Sequence, residues 1–335
     1  MSKVLIVGGG ASGLAAAVEL SNRSVRSVIV ERGPTVGGLA NGLGCKGAPV
    51  CVRCDACRPA DLRREAALSP LVRIMAGAVV IDAARNGRGY RATVETPEGL
   101  EHIDADAVIL AVGAVPYDPD ADPRLRHREC ADILSSLEVE MALAGSERLV
   151  VPSTGAEPRD MAIIQCVGSR DVRRGAPYCS KACCKYGQRL GRRLRHLYPE
   201  MRLVFFFMDW RPLEDAPDAL DAWAAGDERT VVVRSRPSEV LGGEHPVVRY
   251  ATQGESVAED AFDIVMLTVG MLPGDDNPRL AEAFGIGLDE HGFLVSDRGE
   301  VIVAGACGGP MDLRESIEEG IAAAGRAWRH LEGGE

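Results

Sequence analysis

No apolar stretch of the 335-residue chain approaches the roughly 20 residues needed to span a bilayer, so any membrane association has to come through a partner. A basic excess is also missing. The 38 Lys and Arg against 49 Asp and Glu leave a net charge of −11, the wrong sign for a general nucleic-acid binder, whose phosphate contacts need a basic surface. The opening MSKVLIVGGG runs into a glycine-rich motif with no charged-then-apolar leader, so export is not expected and a cytoplasmic location is. Six scattered histidines form no Ser-His-Asp arrangement, which leaves hydrolysis without support. Low-complexity tracts and short-period repeats are absent. What remains is ordinary for a globular chain, 46% hydrophobic and 26% charged, and long enough for two domains with substantial cores.

Against these absences stand ten cysteines, a number that favours metal or redox chemistry over structural disulfides in a chain without export signals. Four of them, Cys166, Cys179, Cys183 and Cys184, fall in IIQCVGSRDVRRGAPYCSKACC. The apolar run Met161 to Cys166 predicts a buried strand presenting Cys166 at its end, and Ser180 onward has the spacing of a helix start. Two elements would then aim thiolates at one point, as an iron–sulfur cluster requires. The spacing C-x12-C-x3-CC is neither the bacterial ferredoxin run nor the paired knuckles of zinc sites. Free cysteines often pack as small hydrophobes. Adjacent Cys183 and Cys184, however, point about 100° apart on a helix, which suits a multi-ligand site better than one core face. A second group, Cys45, Cys51, Cys54 and Cys57, has the loop spacing C-x5-C-x2-C-x2-C. A second iron–sulfur cluster, a zinc ion, or a C-x-x-C dithiol exchanging with a disulfide would each use it. Cys130 stands alone and reads as a packing residue.

The N-terminal stretch carries a second kind of chemistry. Lys3 to Val7 is a short buried-strand pattern, followed by Gly8, Gly10 and Gly13 in G-x-G-x-x-G, a helix pattern over Leu14 to Ser21, and a strand Ser27 to Val30 ending in Glu31. Strand, glycines, helix, strand and acid in that order predict a dinucleotide-binding βαβ unit. The glycines allow a tight turn and close approach of a pyrophosphate to the helix N-terminus, while Glu31 accepts from ribose hydroxyls. The motif alone does not separate NAD from FAD. At Met161 to Val167, where a second such fingerprint would stand, only Gly168 is present, so direct NAD(P)H binding is not expected.

Between these motifs, Leu71 to Val112 reads as an antiparallel excursion returning to the parallel sheet. The acidic, turn-rich Tyr117 to Pro123 reads as the crossing into a second domain, and Glu129 to Ala144 as a helix with Ile133, Leu134, Leu137 and Met141 on one face. Met201 to Met208 predicts a buried strand with Asp209, Trp210 and Arg211 at its carboxyl end. Ligands sit there in open α/β sheets, so Arg211 is a candidate for flavin or substrate contact, while Trp210 closes the core. The predicted helix Ser180 to Leu197 carries Lys181, Lys185, Arg189, Arg192, Arg193 and Arg195, either as a solvated face or as a docking surface for an acidic electron-transfer partner.

IQCVGSRD followed by YCSKACC resembles the signature of the A subunit of heterodisulfide reductase and its relatives, a group of FAD and iron–sulfur electron carriers. The resemblance covers nearly the whole chain, including RLVVPSTGAEPRDMAIIQCVGSR and AGACGGPMDLRESIEEG. It implies a [4Fe–4S] cluster on Cys166, Cys179, Cys183 and Cys184, close to the flavin. Glu31-Arg32 followed by Gly37-Gly38, ILAVGA, and VIVAGACGG likewise resemble the three FAD signatures of two-dinucleotide-domain flavoproteins. The implied FAD contacts are Gly8, Gly10, Ala11, Ser12, Gly13, Glu31, Arg32, Gly38, Leu39, Ala111, Gly113, Gly305, Ala306 and Cys307. The implied fold is α/β and thioredoxin-reductase-like, an FAD-binding domain (1–116 and 273–335) split by a Rossmann-like middle domain (117–272) that carries the iron–sulfur site. The chain lacks the added ferredoxin modules of the methanogen-type subunits. It is similar to the short A subunit of the heterodisulfide-reductase-like complex of sulfur oxidisers, with the quinone-interacting membrane-bound oxidoreductase complex as the alternative. The resemblance further implies B- and C-type partner subunits and a homodimer. A free-standing NAD(P)H-linked disulfide reductase and a zinc-dependent scaffold are the readings from other classes.

Overall fold

A computed structural model describes the chain apart from residues 1–2, 48–49, 147, 174, 211–218, 255 and 334–335. Its α-helices are α1 (Ala11–Asn22), α2 (Arg58–Leu68), α3 (Ser136–Ser146), α4 (Ala182–Leu197), α5 (Ala219–Ala225), α6 (Asn277–Phe284) and α7 (Leu313–Leu331). Among the described residues no helix is long and apolar enough to cross a membrane. The chain divides into two compact units, one formed by 1–41, 55–115 and 272–335, the other by 42–54 and 116–271. The first unit is thus assembled from three stretches of chain. Segment 42–54, expected with the FAD domain, groups with the middle unit instead.

In the first unit a five-stranded parallel sheet runs in the order Val301–Val303, Ala107–Leu110, Lys3–Val7, Arg26–Glu31, Val72–Ala76. Its central strands read as continuous apolar runs because both faces are covered. One face buries Val4, Ile6, Ile29 and Ile109 beneath α1 and α7. The other buries Leu5, Val28, Val108 and Leu110 toward Tyr90, Ala92 and Ile103 of the antiparallel excursion Val79–Asn86, Gly89–Thr96, Gly99–Ala105. Helices α1 and α7 approach closely because alanines and glycines line the contact. A Cβ on Gly320 would sit 2.2 Å from the backbone oxygen of Ser12 in the first turn of α1. A reciprocal Asp312–Glu315 capping box sets the start of α7.

The second unit repeats the pattern. Its parallel sheet runs Thr230–Arg234, Arg202–Phe207, Asp160–Val167, Ile264–Val269, Ile133–Ser135, with Ile163, Leu203, Phe205 and Met266 packed against Leu190 and Leu194 of α4. The region Glu129 to Ala144 is not one helix. Ile133–Ser135 pairs in parallel with Val265–Leu267 as an edge strand, and α3 begins only at Ser136. Ile133 is therefore buried by the sheet, whereas Met141 is 57% exposed. Helix α5 spans Ala219–Ala225, with Asp218 outside the described residues.

Candidate functional site

In the first unit the fingerprint glycines have separate duties. Gly8 has φ +100°, and a Cβ there would meet the Ala111 carbonyl at 2.4 Å. On Gly13 it would lie 2.0 Å from the Gly8 oxygen, while Gly10 has nothing within 4 Å. The loop is thus closed on its protein side and open at Gly10, the N-cap of α1. That helix start has no side-chain cap and no acidic residue in its first turn, so its free amides can receive an anion. Glu31, at the end of its strand, accepts from Gly9 N through Oε2 (2.7 Å) and from Gly33 N through Oε1 (2.6 Å). Each carboxylate oxygen keeps a further lone pair for a hydroxyl.

The other predicted flavin contacts are distributed around this loop. Gly305 has φ +73°, and a Cβ there would lie 1.9 Å from Ser12 Oγ. The Gly305–Gly308 turn, with Ala306, therefore packs against the start of α1. Gly38 has φ +57°, and a Cβ on it would come 3.2 Å from the Gly10 Cα. Ala111 is buried behind Gly8, Gly113 (φ +75°) faces open space, and Leu39 is exposed. Arg32 turns outward to Asp276 at 2.8 Å. Cys307 is fully enclosed, its thiol 3.2 Å from the carbonyls of Leu110 and Ala304. Burial pushes that thiol up to about 11, so Cys307 packs the core as an unreactive neutral side chain.

In the second unit the strand Asp160–Val167 breaks register between Ile164 and Val167, and Cys166 adopts φ +61°. This left-handed conformation is uncommon for a residue with a Cβ, and such strain collects at functional sites. The chain then folds back. Ser169 Oγ donates to the Tyr178 carbonyl (2.9 Å) and accepts from Ser180 N (3.0 Å), while Ser180 Oγ accepts from Met271 N (2.9 Å). This clasp carries Cys179 toward the strand end and starts α4, whose first turn holds Cys183 and Cys184. Gly168 is needed at the fold-back: its φ is +70°, and a Cβ would strike the Tyr117 ring at 1.9 Å.

Cys166, Cys183 and Cys184 are buried and Cys179 is half-buried. Interaction with the Cys183 thiol lowers Cys166 to about 7 against the opposing effect of burial, with Arg170 and Arg236 assisting by charge. Cys183 is pushed well up by its interaction with Cys166, by burial and by the charges of Cys166, Cys184 and Cys179. Arg170 is bidentate on Asp209, whose carbonyl lies 4.0 Å from Cys184 Sγ. Among the described residues no group of three or more His, Cys, Asp or Glu is arranged to hold a metal ion. Thus the four predicted ligands are near enough to influence one another electrostatically, Cys183 sensing the other three. By chemistry the donor set fits an iron–sulfur group: four soft sulfurs, three from a strand end and a helix start and one from the loop between them, with arginines to balance thiolate charge.

The second cysteine group is divided. Cys45, Cys51 and Cys54 lie in the segment that belongs to the second unit, while Cys57 is the N-cap of α2 in the first. Cys45, Cys51 and Cys57 are exposed and Cys54 half-buried. The Cys45 and Cys51 sulfurs receive the amides of Gly47 and Arg53 at 3.3 and 3.4 Å. Neighbouring Lys46 is buried, donating to Glu140 Oε1 at 2.5 Å and to the Gly44 carbonyl. Glu140 also accepts from Gly44 N (2.6 Å) and Tyr186 Oη (2.7 Å). This network, together with Arg193 donating to the Gly47 carbonyl, fastens the segment to α3 and α4, and no sequence pattern announced it.

Much of the basic character of α4 is used within the unit. Arg195 is bidentate on Asp227, Arg192 lies over the Trp223 ring and Arg193 is engaged at Gly47, which favours the structural reading of that face. Trp210 stacks on Phe207 with ring centroids 4.2 Å apart, as a core-closing residue does. Arg211 lies outside the described residues.

Residues 2–165 match the family model described as pyridine nucleotide-disulphide oxidoreductase. The chain is 32% identical over 261 residues to the second iron–sulfur A subunit of the CoB–CoM heterodisulfide reductase of Methanopyrus kandleri, covering 72% of this chain and 39% of that protein. It is 27% identical over 252 residues to the A subunit of the H(2):CoB-CoM heterodisulfide,ferredoxin reductase of Methanothermobacter thermautotrophicus, covering 70% and 38%. The chain therefore spans well under half the length of these curated relatives. Among solved structures, a T. acidophilum thioredoxin reductase superposes with TM-score 0.65 at 16% identity, covering 99% of this chain and 100% of that one. A Lactococcus lactis thioredoxin reductase gives 0.62 at 16% identity, covering 99% and 100%. These likenesses show a thioredoxin-reductase-like α/β fold.

Proposed function

The chain belongs to the heterodisulfide reductase A-subunit-like family, and from that premise we propose that it is the FAD and iron–sulfur electron-transfer subunit of a heterodisulfide-reductase-like complex in sulfur metabolism. FAD occupies the first unit, its pyrophosphate at the start of α1 and its ribose at Glu31. Cys166, Cys179, Cys183 and Cys184 hold a [4Fe–4S] cluster. Flavins take up electrons in pairs and can release them singly, and such clusters carry one at a time, so together they would link a two-electron donor to B- and C-type partner subunits. The protein's own part is to supply thiolates from a strand end and a helix start, to balance their charge with Arg170 and Arg236, and to bury three of the four sulfurs. A homodimer belongs to the same proposal.

The observation that carries this reading is the burial of Cys166, Cys183 and Cys184, the first left-handed at a register break and the other two in a helix turn that starts from a serine clasp. Nothing in sheet packing requires that bend. An NAD(P)H-linked disulfide reductase is the weaker reading. The strand end where its nucleotide would approach is capped by Tyr117 over Gly168, and close backbone access there is a requirement for the pyrophosphate. Oxygen-free purification with a visible spectrum, flavin identification and iron and sulfide assays tests the proposal. Flavin with about four irons per site supports it. A yellow protein without iron that bleaches rapidly with NADPH supports the reductase, and a colourless zinc protein refutes both.

A further inference from the structure

Gln165 is the one polar side chain in the apolar run that ends at Cys166, and it is 3% exposed. Both its Nε2 and its Oε1 are buried without a hydrogen-bond partner among the described residues. A buried unpaired amide group is costly, and polar groups in protein interiors are nearly always paired. The amide is nevertheless accommodated: Gly187, inside α4, leaves the space it fills, since a Cβ there would lie 2.2 Å from Nε2. A glycine inside a helix is itself unfavourable relative to alanine. Gly187 follows Cys183 by four residues and Cys184 by three, so each cysteine is a neighbour of Gly187 on the helix surface. Gln165 is thus next to Cys166 along the strand, and the glycine its amide packs against is one helical turn from Cys183 and Cys184.

We propose that Gln165 is a positioning residue for the iron–sulfur site, its amide N–H donating to a sulfur of the bound cluster or of its cysteine ligands. This rests on the cluster reading given above. Reduction adds negative charge to the sulfurs, so a hydrogen bond to them strengthens in the reduced state and raises the reduction potential. A purely space-filling Gln165 would leave that potential where it was. Replacing Gln165 by Met keeps the length and removes the donor.

The test is a redox titration followed by electron paramagnetic resonance on oxygen-free wild type and Gln165→Met, with iron and sulfide measured on both. The expected result is unchanged iron and a cluster about tenfold harder to reduce, a downward shift of about 59 mV for one electron. Unchanged iron with an unchanged potential overturns the inference while leaving the cluster reading intact. Wild type without iron overturns the cluster reading first and this inference with it. Should Gln165→Met lose its iron, wild type carrying 15N in its glutamine side chains decides. A 15N hyperfine coupling to the reduced cluster supports the hydrogen bond, and its absence refutes it.

Discussion

Lys46→Met should loosen the whole segment that carries Cys45, because the lysine is half of a buried ion pair. Lys46 and Glu140 are 5% and 3% exposed in their side chains and 2.5 Å apart. Glu140 is also the acceptor for Gly44 N and Tyr186 Oη. Removing one partner of a buried pair leaves the other charge without compensation, which costs roughly 3–5 kcal/mol. At about 1.4 kcal/mol per decade, that is a rise of two to three and a half decades in the opening equilibrium of the segment. Because the protein has two units, a global melting curve is a poor readout. Hydrogen exchange of the Gly44 amide reports the local event directly. Glu140→Gln on its own leaves Lys46 as the unpaired charge, whereas Lys46→Met with Glu140→Gln leaves none. The double variant should therefore recover most of the lost protection. A Lys46→Met change below about threefold, or strict additivity of the two substitutions, would refute the reasoning.

Gly320→Ala places a methyl 2.2 Å from the Ser12 backbone oxygen and should cost about 1–3 kcal/mol as overpacking. Flavin retention on gel filtration should fall with it, because α7 would be driven off the helix start proposed to receive the pyrophosphate. His127 bridges Asp120 and Glu138 at 2.8 Å on both sides. Burial alone would lower its pKa, but the two carboxylates outweigh it and raise the group above its ordinary 6.5. A raised folded value means stabilisation that is fully present below about pH 6.5 and lost as pH rises through the folded pKa. Exchange protection of the Ser135 amide, which Glu138 also accepts, should decline over that window in wild type and be flat in His127→Gln. In metal-free protein the ultraviolet thiolate absorbance lost on Cys166→Ser should titrate near pH 7. Removing the Cys183 thiol should return the midpoint toward the ordinary 9; a wild-type midpoint already there would contradict the pairing.

Where chemistry is written in contiguous residues, the sequence was legible. The strand Lys3–Val7, the glycine loop and Glu31 ending its strand stand where the motif places them, because each residue's role is set by near neighbours in the chain. Helix α4 begins two residues after the expected Ser180, since Ser180 is used in the clasp. What escaped depends on distant partners. Ile133 and Leu134 have helical spacing yet pair with a strand 132 residues later. Lys46 reads as a surface lysine until Glu140 is placed beside it. Gln165 and the interior glycines Gly187 and Gly191 of α4 also went unread. A polar residue in a buried strand facing a glycine in a helix is a signal of close approach, but its meaning required the fold.

The most direct test of the central claim is the iron content of oxygen-free protein in which Cys166, Cys179, Cys183 and Cys184 are each changed to Ser, beside a Cys130→Ser control. Loss of most of the iron in each of the four, with the control and the bound flavin unchanged, is the predicted result. Full iron in Cys183→Ser and Cys184→Ser together would contradict it.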